Sequence, residues 1–259
     1  MRKIKPVVFI TGASSGIGEA CAYDFAKLGC HLILCARRSD RLKNLAALLS
    51  KKFKTSSRIL CFDVRDYETA KENINSLPPA WKKIDLLINN AGLALGFGPI
   101  QEGNMDEWQT MIDTNLKGLL IMTRLITPLM IERKSGHIIN IGSVAGKETY
   151  LNGNVYCATK HAVDSLSKAM RIDLLPHNIR VSVVHPGMAE TEFSIVRYKG
   201  DVEMAKKVYQ GLQPLSAKDI SQTVAWIFGQ PAHVNISEVI LTPAAQANTS
   251  HVIRSIKNP

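Results

Sequence analysis

The sequence predicts an α/β protein: a single domain built on a doubly wound, parallel, seven-stranded sheet with helices on both faces. Three observations lead there. Apolar runs of strand length alternate with amphipathic helical segments along the whole chain. A glycine-rich turn joins the first strand to the first helix. Small or polar residues then recur just beyond strand after strand, where ligands bind in sheets of this kind. One core suffices for 259 residues of which 46% are hydrophobic, so 1–259 reads as one unit.

In order, the strands are expected at 6–10, 31–36, 58–62, 84–88, 137–141, 180–184 and 238–241. Helices are expected near 16–28, 40–53, 67–77, 105–134, 154–175 and 217–229. The longest apolar stretch, 116–131, is cut by Lys117, Arg124 and Pro128, so no segment reads as membrane-spanning. The start Met1-Arg-Lys-Ile-Lys5 carries the charge of a secretory leader, but only Val7 to Ile10 follows before Thr11-Gly12. That is too short for a leader's apolar core, and the segment reads as the entry to the first strand.

Composition narrows the function classes. The five cysteines, Cys21, Cys30, Cys35, Cys61 and Cys157, are odd in number, sit in apolar patterns and form no C-x-x-C. Neither a disulfide framework nor a zinc site is suggested, and a reducing cytoplasm is the expected compartment. The seven histidines show no ligand spacing, His161 included, so no metal is expected. The net charge of +10 is dispersed in small groups such as Lys51-Lys52, Lys82-Lys83 and Lys206-Lys207, with acids between them. This is unlike a nucleic-acid surface, and solvated faces that attract anionic ligands account for it better.

After the first strand comes Thr11-Gly12-Ala13-Ser14-Ser15-Gly16-Ile17-Gly18, opening a helix. Glycines let the backbone turn tightly and approach a pyrophosphate, and the helix start offers unpaired N–H groups and partial positive charge. The spacing is G-x-x-x-G-x-G, different from the G-x-G-x-x-G of the Rossmann dinucleotide fingerprint. The second strand ends Cys35-Ala36-Arg37-Arg38, where NAD-binding domains commonly carry an acid for the ribose 2′-hydroxyl. Two arginines there suit a 2′-phosphate through charge-assisted hydrogen bonds, so NADP is the expected cofactor. Cations are also unfavourable at a helix start unless an anion joins them. Later strand ends add Asp63-Val64, Asn89-Asn90-Ala91-Gly92, Gly142-Ser143 and His185-Pro186-Gly187 running on to Thr191, lining one cleft.

Tyr156 and Lys160 stand four positions apart on a predicted helix, thirteen positions after Ser143. A phenol with an ordinary pKa of roughly 10 needs a shift of about three units, or ~4 kcal/mol, to act near neutrality. An ammonium at i+4 on the same helical face can supply much of it.

With these motifs in order and at the expected spacing, the chain resembles the short-chain dehydrogenase/reductase superfamily over essentially its full length, which implies a Rossmann-type fold. T-G-x-x-x-G-x-G, N-N-A-G, Asn115, Ser143, Y-x-x-x-K and P-G carry the resemblance. It implies that Tyr156 is the acid/base at the substrate oxygen and that Ser143 holds that oxygen. Lys160 would lower the Tyr156 pKa and grip the nicotinamide ribose, and Asn115 would hold a water that links Lys160 to solvent. The implied cofactor contacts are Gly12, Ser14, Ser15, Gly16, Ile17 and Gly18 in the first turn, with Arg37, Arg38, Asp63 and Val64 at the nucleoside. Asn90, Ala91, Gly92, Tyr156, Lys160, Pro186, Gly187 and Thr191 complete them.

Within the superfamily, Asn89 to Gly96, Met111 to Gly118, Gly136 to Ser143, Thr191 to Gly200 and Pro231 to Ile236 look like the NADP-dependent 3-hydroxy acid dehydrogenases, also described as L-serine or L-allo-threonine dehydrogenases. The resemblance implies oxidation of small 3-hydroxy acids, or reduction of semialdehydes such as malonic semialdehyde. The rivals are another short-chain reductase, acting on 3-oxoacyl thioesters or sugars, and a non-catalytic NADP-sensing protein. A lid at about 188–212 is expected, with Arg197 as the cation for the substrate carboxylate and Lys147 as its alternative. The expected assembly is a homotetramer, paired through the helices near 105–134 and 154–175 and through the last strand. The tail 243–259, which lacks a helix pattern, is expected to pack on a neighbouring subunit.

Overall fold

The computed structural model describes residues 5–255, so most of the charged start and the end of the tail lie outside it. The chain begins with β1 (Val7–Thr11), α1 (Gly16–Lys27), β2 (His31–Cys35), α2 (Ser39–Phe53), β3 (Ser57–Leu60), α3 (Tyr67–Asn75) and β4 (Ile84–Asn89). It continues with α4 (Met105–Ile112), α5 (Gly118–Arg133), β5 (Gly136–Ile141), α6 (Asn154–Leu174) and β6 (Ile179–Pro186). The lid region contributes β7 (Ala189–Glu190), α7 (Glu192–Arg197), α8 (Val202–Lys207) and β8 (Leu215–Ser216), before α9 (Ala217–Phe228) and β9 (Glu238–Leu241).

Seven strands form one sheet in the order β3-β2-β1-β4-β5-β6-β9, and every neighbouring pair is parallel. Both faces are covered. Successive side chains of a strand point to opposite faces, so Val8 and Ile10 of β1 join the core under α1, α2 and α9, with Phe25, Leu42 and Val224. Val7 and Phe9 enter the opposite core under α3, α5 and α6, with Ile74, Met122 and Met170. Winding reverses between β1 and β4, and the crevice opens beyond the carboxyl ends of those strands.

One expectation changes. The helix expected over 105–134 is interrupted by a π turn, Asp113–Lys117, between α4 and α5. A π turn inserts one residue into the hydrogen-bond ladder, and the apolar period that marks a helix does not register the insertion. The inserted turn aims Asn115 inward, where Nδ2 donates to the Leu93 carbonyl at 2.8 Å and Oδ1 accepts the Leu93 N–H at 2.8 Å. The tail, whose packing on a neighbouring subunit is a matter for the assembly, also engages its own chain. The Gln246 side chain accepts the Met188 N–H at 2.8 Å, and Arg254 donates to the Val208 and Gln210 carbonyls at 3.0 and 2.7 Å. Its polar groups find those partners in the lid, a long-range pairing that composition does not reveal.

All five cysteines are free; four are buried, and Cys61, just past β3, is exposed. Among the described residues no helix is long and apolar enough to cross a membrane.

A buried amide network fixes the spacing between sheet and helices. Asn89 Nδ2 on β4 donates to Asn140 Oδ1 on β5 at 2.9 Å and to Thr123 Oγ1 on α5 at 3.1 Å, and Asn140 Nδ2 donates to Ser167 Oγ on α6 at 2.9 Å. Leaving such a buried group without its partner costs about 1–3 kcal/mol. Asn140→Leu is therefore expected to lower unfolding stability by that amount, read from the urea midpoint; an unchanged midpoint would remove the network from the account of the fold.

Candidate active site

The first turn is shaped by what glycine lacks. Gly12 and Gly16 have φ of +66° and +56°, in the left-handed region that favours glycine. A Cβ on Gly12 would stand 2.8 Å from Asn90 Nδ2, and one on Gly18 would stand 2.4 Å from the Gly12 carbonyl oxygen. The loop after β4 closes on this turn: Asn90 Nδ2 donates to the Thr11 carbonyl at 2.9 Å, and the Asn90 and Ala91 N–H groups donate to Thr11 Oγ1 at 2.9 and 3.0 Å. Gly12, Ser14, Ser15, Gly16 and Ile17 line a cleft of about 750 Å³, facing Asn90, Ala91 and Gly92. Gly18 lies beneath that wall and acts through close packing.

At one end of the cleft the charge is positive. Arg38 reaches Ser14 Oγ at 3.0 Å and Ser15 Oγ at 2.6 Å, and its guanidinium pairs with Glu192 at 2.9 Å. Arg41, one helical turn further, pairs with the other oxygen of Glu192 at 2.5 Å. The anion required beside cations at the start of α2 is thus a residue of the lid. Arg37 is more exposed, 3.7 Å from Asp63, which pairs mainly with Arg65 at 2.7 Å. Asp63 and Val64 line the wall beside them. Serine hydroxyls, backbone N–H groups and two guanidinium groups converge here, which is the donor set that a dinucleotide with an additional ribose phosphate needs.

The opposite end brings Ser143, Tyr156 and Lys160 together, with Pro186 and Gly187 on the cleft wall, while Thr191 lies against Gly16 of the first turn. Ser143, two residues past β5, has extended backbone, and its Oγ accepts the Ala145 N–H at 3.1 Å, which starts a 3₁₀ turn, Val144–Gly146. Its hydroxyl hydrogen remains to be donated into the cleft. Tyr156 and Lys160 lie on α6, both nearly buried. Lys160 Nζ donates to the Ile141 carbonyl at 2.9 Å and sits 6.0 Å from the centre of the Tyr156 ring. Asn115 is behind the wall, not on it, and donates to Thr159 Oγ1 at 3.1 Å. Gly92 separates Asn115 from Lys160: a Cβ there would lie 3.2 Å from Asn115 Oδ1 and 3.7 Å from Lys160 Nζ.

The electrostatics differ from the expectation of a phenol lowered by its i+4 ammonium. Burial pushes the Tyr156 phenol above its ordinary value, with the Ser143 hydroxyl and the Arg197 guanidinium opposing. Burial also pushes Lys160 down to about 8. The ammonium is turned toward Ile141 and is itself easily discharged, so the group of this pair that titrates nearest neutrality is the lysine.

The two candidate cations, and Lys199 beside them in the lid, are sorted by their partners. Lys147 is withdrawn between Asp164 at 2.8 Å and Glu238 at 2.7 Å, and Lys199 is paired with Glu107 at 2.5 Å. Arg197 lines the cleft and has no carboxylate partner among the described residues. Its Nη1 donates to the Tyr150 hydroxyl at 2.8 Å, and its guanidinium carbon lies 4.9 Å from the Phe97 ring centre and 5.6 Å from that of Tyr156. Phe193 covers Tyr156, with ring centres 5.5 Å apart. Sequence reasoning missed Phe97, Phe193, Arg41 and Glu192. The i+3 spacing of Arg38 and Arg41 at a helix start could have indicated Arg41, whereas nothing local marks the others. One convergence of metal-ligand type occurs among the described residues, Asp164 with His185 and Glu238, and the ammonium of Lys147 bonds both of its carboxylates.

This geometry coincides with a recognised family. The sequence pattern of the short chain dehydrogenases matches residues 6–200. The chain belongs to the short chain dehydrogenase family. It is 45% identical over 242 residues to an NADP-dependent 3-hydroxy acid dehydrogenase of Salmonella typhi, spanning 93% of this chain and 96% of the relative. A serine 3-dehydrogenase of Rhizobium radiobacter is 43% identical over 240 residues, 93% of this chain and 94% of that protein. Among solved structures, the closed form of a serine dehydrogenase complexed with NADP+ matches with a TM-score of 0.90 at 42% identity, over 96% of this chain and 99% of that one.

For a short chain dehydrogenase with this site, alcohol oxidation must pass a proton to the enzyme, so it requires the proton-accepting form of the Tyr156–Lys160 pair. The kcat/KM of oxidation is expected to rise with pH through about 8, the value to which burial brings Lys160. In Lys160→Met that inflection should vanish, and a profile unchanged by the substitution would assign it to another group. Tyr156→Phe keeps the ring and removes the transferable proton, so kcat should fall by at least ~10². Near wild-type turnover would exclude the phenol.

Proposed function

We propose that this protein is an NADP-dependent oxidoreductase that transfers a hydride between NADP(H) and the 3-carbon of small 3-hydroxy acids, of the L-serine, L-allo-threonine and 3-hydroxypropionate type. The observation that carries this reading is Arg197, a guanidinium of the cleft wall with no carboxylate partner among the described residues, placed beside the Tyr156 ring. Relatives named for hydroxy acid and serine dehydrogenation support it.

NADP, when bound, supplies the hydride acceptor or donor at the nicotinamide. The first turn and the start of α1 would hold its pyrophosphate, and Ser14, Arg37 and Arg38 would hold the 2′-phosphate. Tyr156 accepts the hydroxyl proton of the alcohol or returns it to the carbonyl oxygen. Ser143 donates to that oxygen and keeps it against the phenol, and Lys160 takes up the proton from Tyr156. Arg197 orients the acid through its carboxylate, and Phe97, Phe193 and Tyr150 keep water away from it.

A different short-chain reductase, acting on thioesters or sugars, would share Ser143, Tyr156 and Lys160, and turnover of acetoacetyl thioester with NADPH in place of 3-hydroxypropionate with NADP would favour it. A sensor of NADP would have no need of a complete proton relay of Asn115, Ser143, Tyr156 and Lys160. We place the protein in the cytoplasm, in keeping with its five free cysteines. We also propose a homotetramer, because apolar side chains stay exposed on the elements expected to pair: Leu120 on α5, Ile172 on α6 and Ile240 on β9.

Three outcomes follow from this reading. Arg197→Ala should lower kcat/KM for 3-hydroxypropionate and spare an uncharged 1,3-diol; an equal loss on both would move the carboxylate site. Each charge-assisted hydrogen bond lost costs roughly 1.5–3 kcal/mol. Arg37→Ala with Arg38→Ala should therefore cut kcat/KM for NADP more than tenfold, with a much smaller loss for NAD that reflects the freed α7, whereas an undiminished preference for NADP would overturn the assignment. Light scattering at micromolar concentration should give four times the 28.5 kDa chain mass, and a monomer mass would refute the assembly.

A further inference from the structure

A buried histidine that the reaction above does not use stands directly behind Ser143. His185, on β6, is fully buried and lies outside the cleft wall. Its Nδ1 is 2.9 Å from the Ser143 carbonyl oxygen and 3.3 Å from the Ser143 amide nitrogen. One ring nitrogen cannot donate and accept at once, and the shorter contact makes Nδ1–H the donor to the carbonyl. The ring fits because residue 142 is glycine: a Cβ there would meet Nδ1 at 2.5 Å.

The other edge of the ring faces charge. Nε2 is 3.4 Å from Asp164 and 3.9 Å from Glu238, and it makes no hydrogen bond. Both acids are already engaged by ammonium groups, Asp164 by Lys147 and by Lys168 at 2.8 Å, and Glu238 by Lys147. Two carboxylates and two ammonium groups leave no call for a third cation. Burial correspondingly holds the pKa of His185 below its ordinary value.

Placement gives this cluster its significance. Asp164 follows Lys160 by four residues on α6, so one helical face presents Tyr156, Lys160 and Asp164 in succession. The ring of His185 therefore fills the space between the turn that carries Ser143 and the helix that carries Tyr156 and Lys160.

We propose that His185 is a positioning residue for this reaction: its Nδ1–H fixes the Ser143 peptide from behind, so that the Ser143 hydroxyl keeps its place opposite the Tyr156 phenol. The inference rests on the reading of Ser143 and Tyr156 as the pair that meets the substrate oxygen. Small displacements of such a pair are costly, since a misplacement near 1 Å can lose about 10²-fold in rate.

The test is a double-mutant cycle on 3-hydroxypropionate oxidation with NADP, using wild type, Ser143→Ala, His185→Leu and the double variant, with NADPH affinity measured by fluorescence. His185→Leu should lower kcat by about 10- to 100-fold while NADPH affinity holds. In the Ser143→Ala background it should cost nothing more. His185→Asn, which returns an N–H donor near the position of Nδ1, should recover most of the loss. Equal losses in both backgrounds, or an Asn variant no better than Leu, would overturn the proposal. Should the Leu variant fail to fold, His185→Gln, whose amide reaches past the Nδ1 position, takes its place in the cycle. Wild type inactive on every small 3-hydroxy acid would overturn the proposed function and this inference with it. An active wild type with additive losses would overturn the inference alone.

Discussion

Everything in the cleft depends on one parallel pairing, that of β1 with β4, at the point where the sheet reverses its winding. The strands leave the sheet side by side, so the glycine turn after one and the Asn-Ala-Gly loop after the other must share a narrow space. Thr11 resolves the crowding by accepting two N–H groups of that loop on a single hydroxyl. The absent side chains of Gly12 and Gly18 let the two backbones close. A cofactor cradle results because no bulkier arrangement would let the strands stay paired.

Much of this could be read in the sequence, for a physical reason. Strands buried on both faces must be continuously apolar, as Val7 to Ile10 and Leu32 to Cys35 are, and turns that bring backbones into contact must use glycine. Such constraints are local and leave a local record. Tyr156 and Lys160 share a helical face by spacing alone, and Ser143 follows a strand.

What escaped the sequence depends on distance. The π turn at Asn115 adds one residue without disturbing the apolar pattern. Glu192 meets Arg38 and Arg41 across some 150 positions, so neither partner's surroundings reveal the other. Gln246 is similarly illegible, a buried amide in an unremarkable tail that satisfies the Met188 N–H. The fate of each lysine was hidden too, since only the folded chain shows that Asp164, Glu238 and Glu107 claim Lys147 and Lys199. The acids withdraw those two ammonium groups and leave the Arg197 guanidinium open to the cleft. The phenol's environment depends equally on the fold, because burial outweighs the lysine one turn away.

The contact between Arg38 and Glu192 has a wider consequence. Glu192 is the first residue of α7, and Arg38 also touches both serines of the glycine-rich turn. The guanidinium at the nucleotide end and the hinge of the cover over the reacting end are therefore one mechanical part. Exchanging that arginine to convert the protein to another dinucleotide would also unfasten the cover, and a successful conversion must supply a new fastening for α7 along with a new ribose contact.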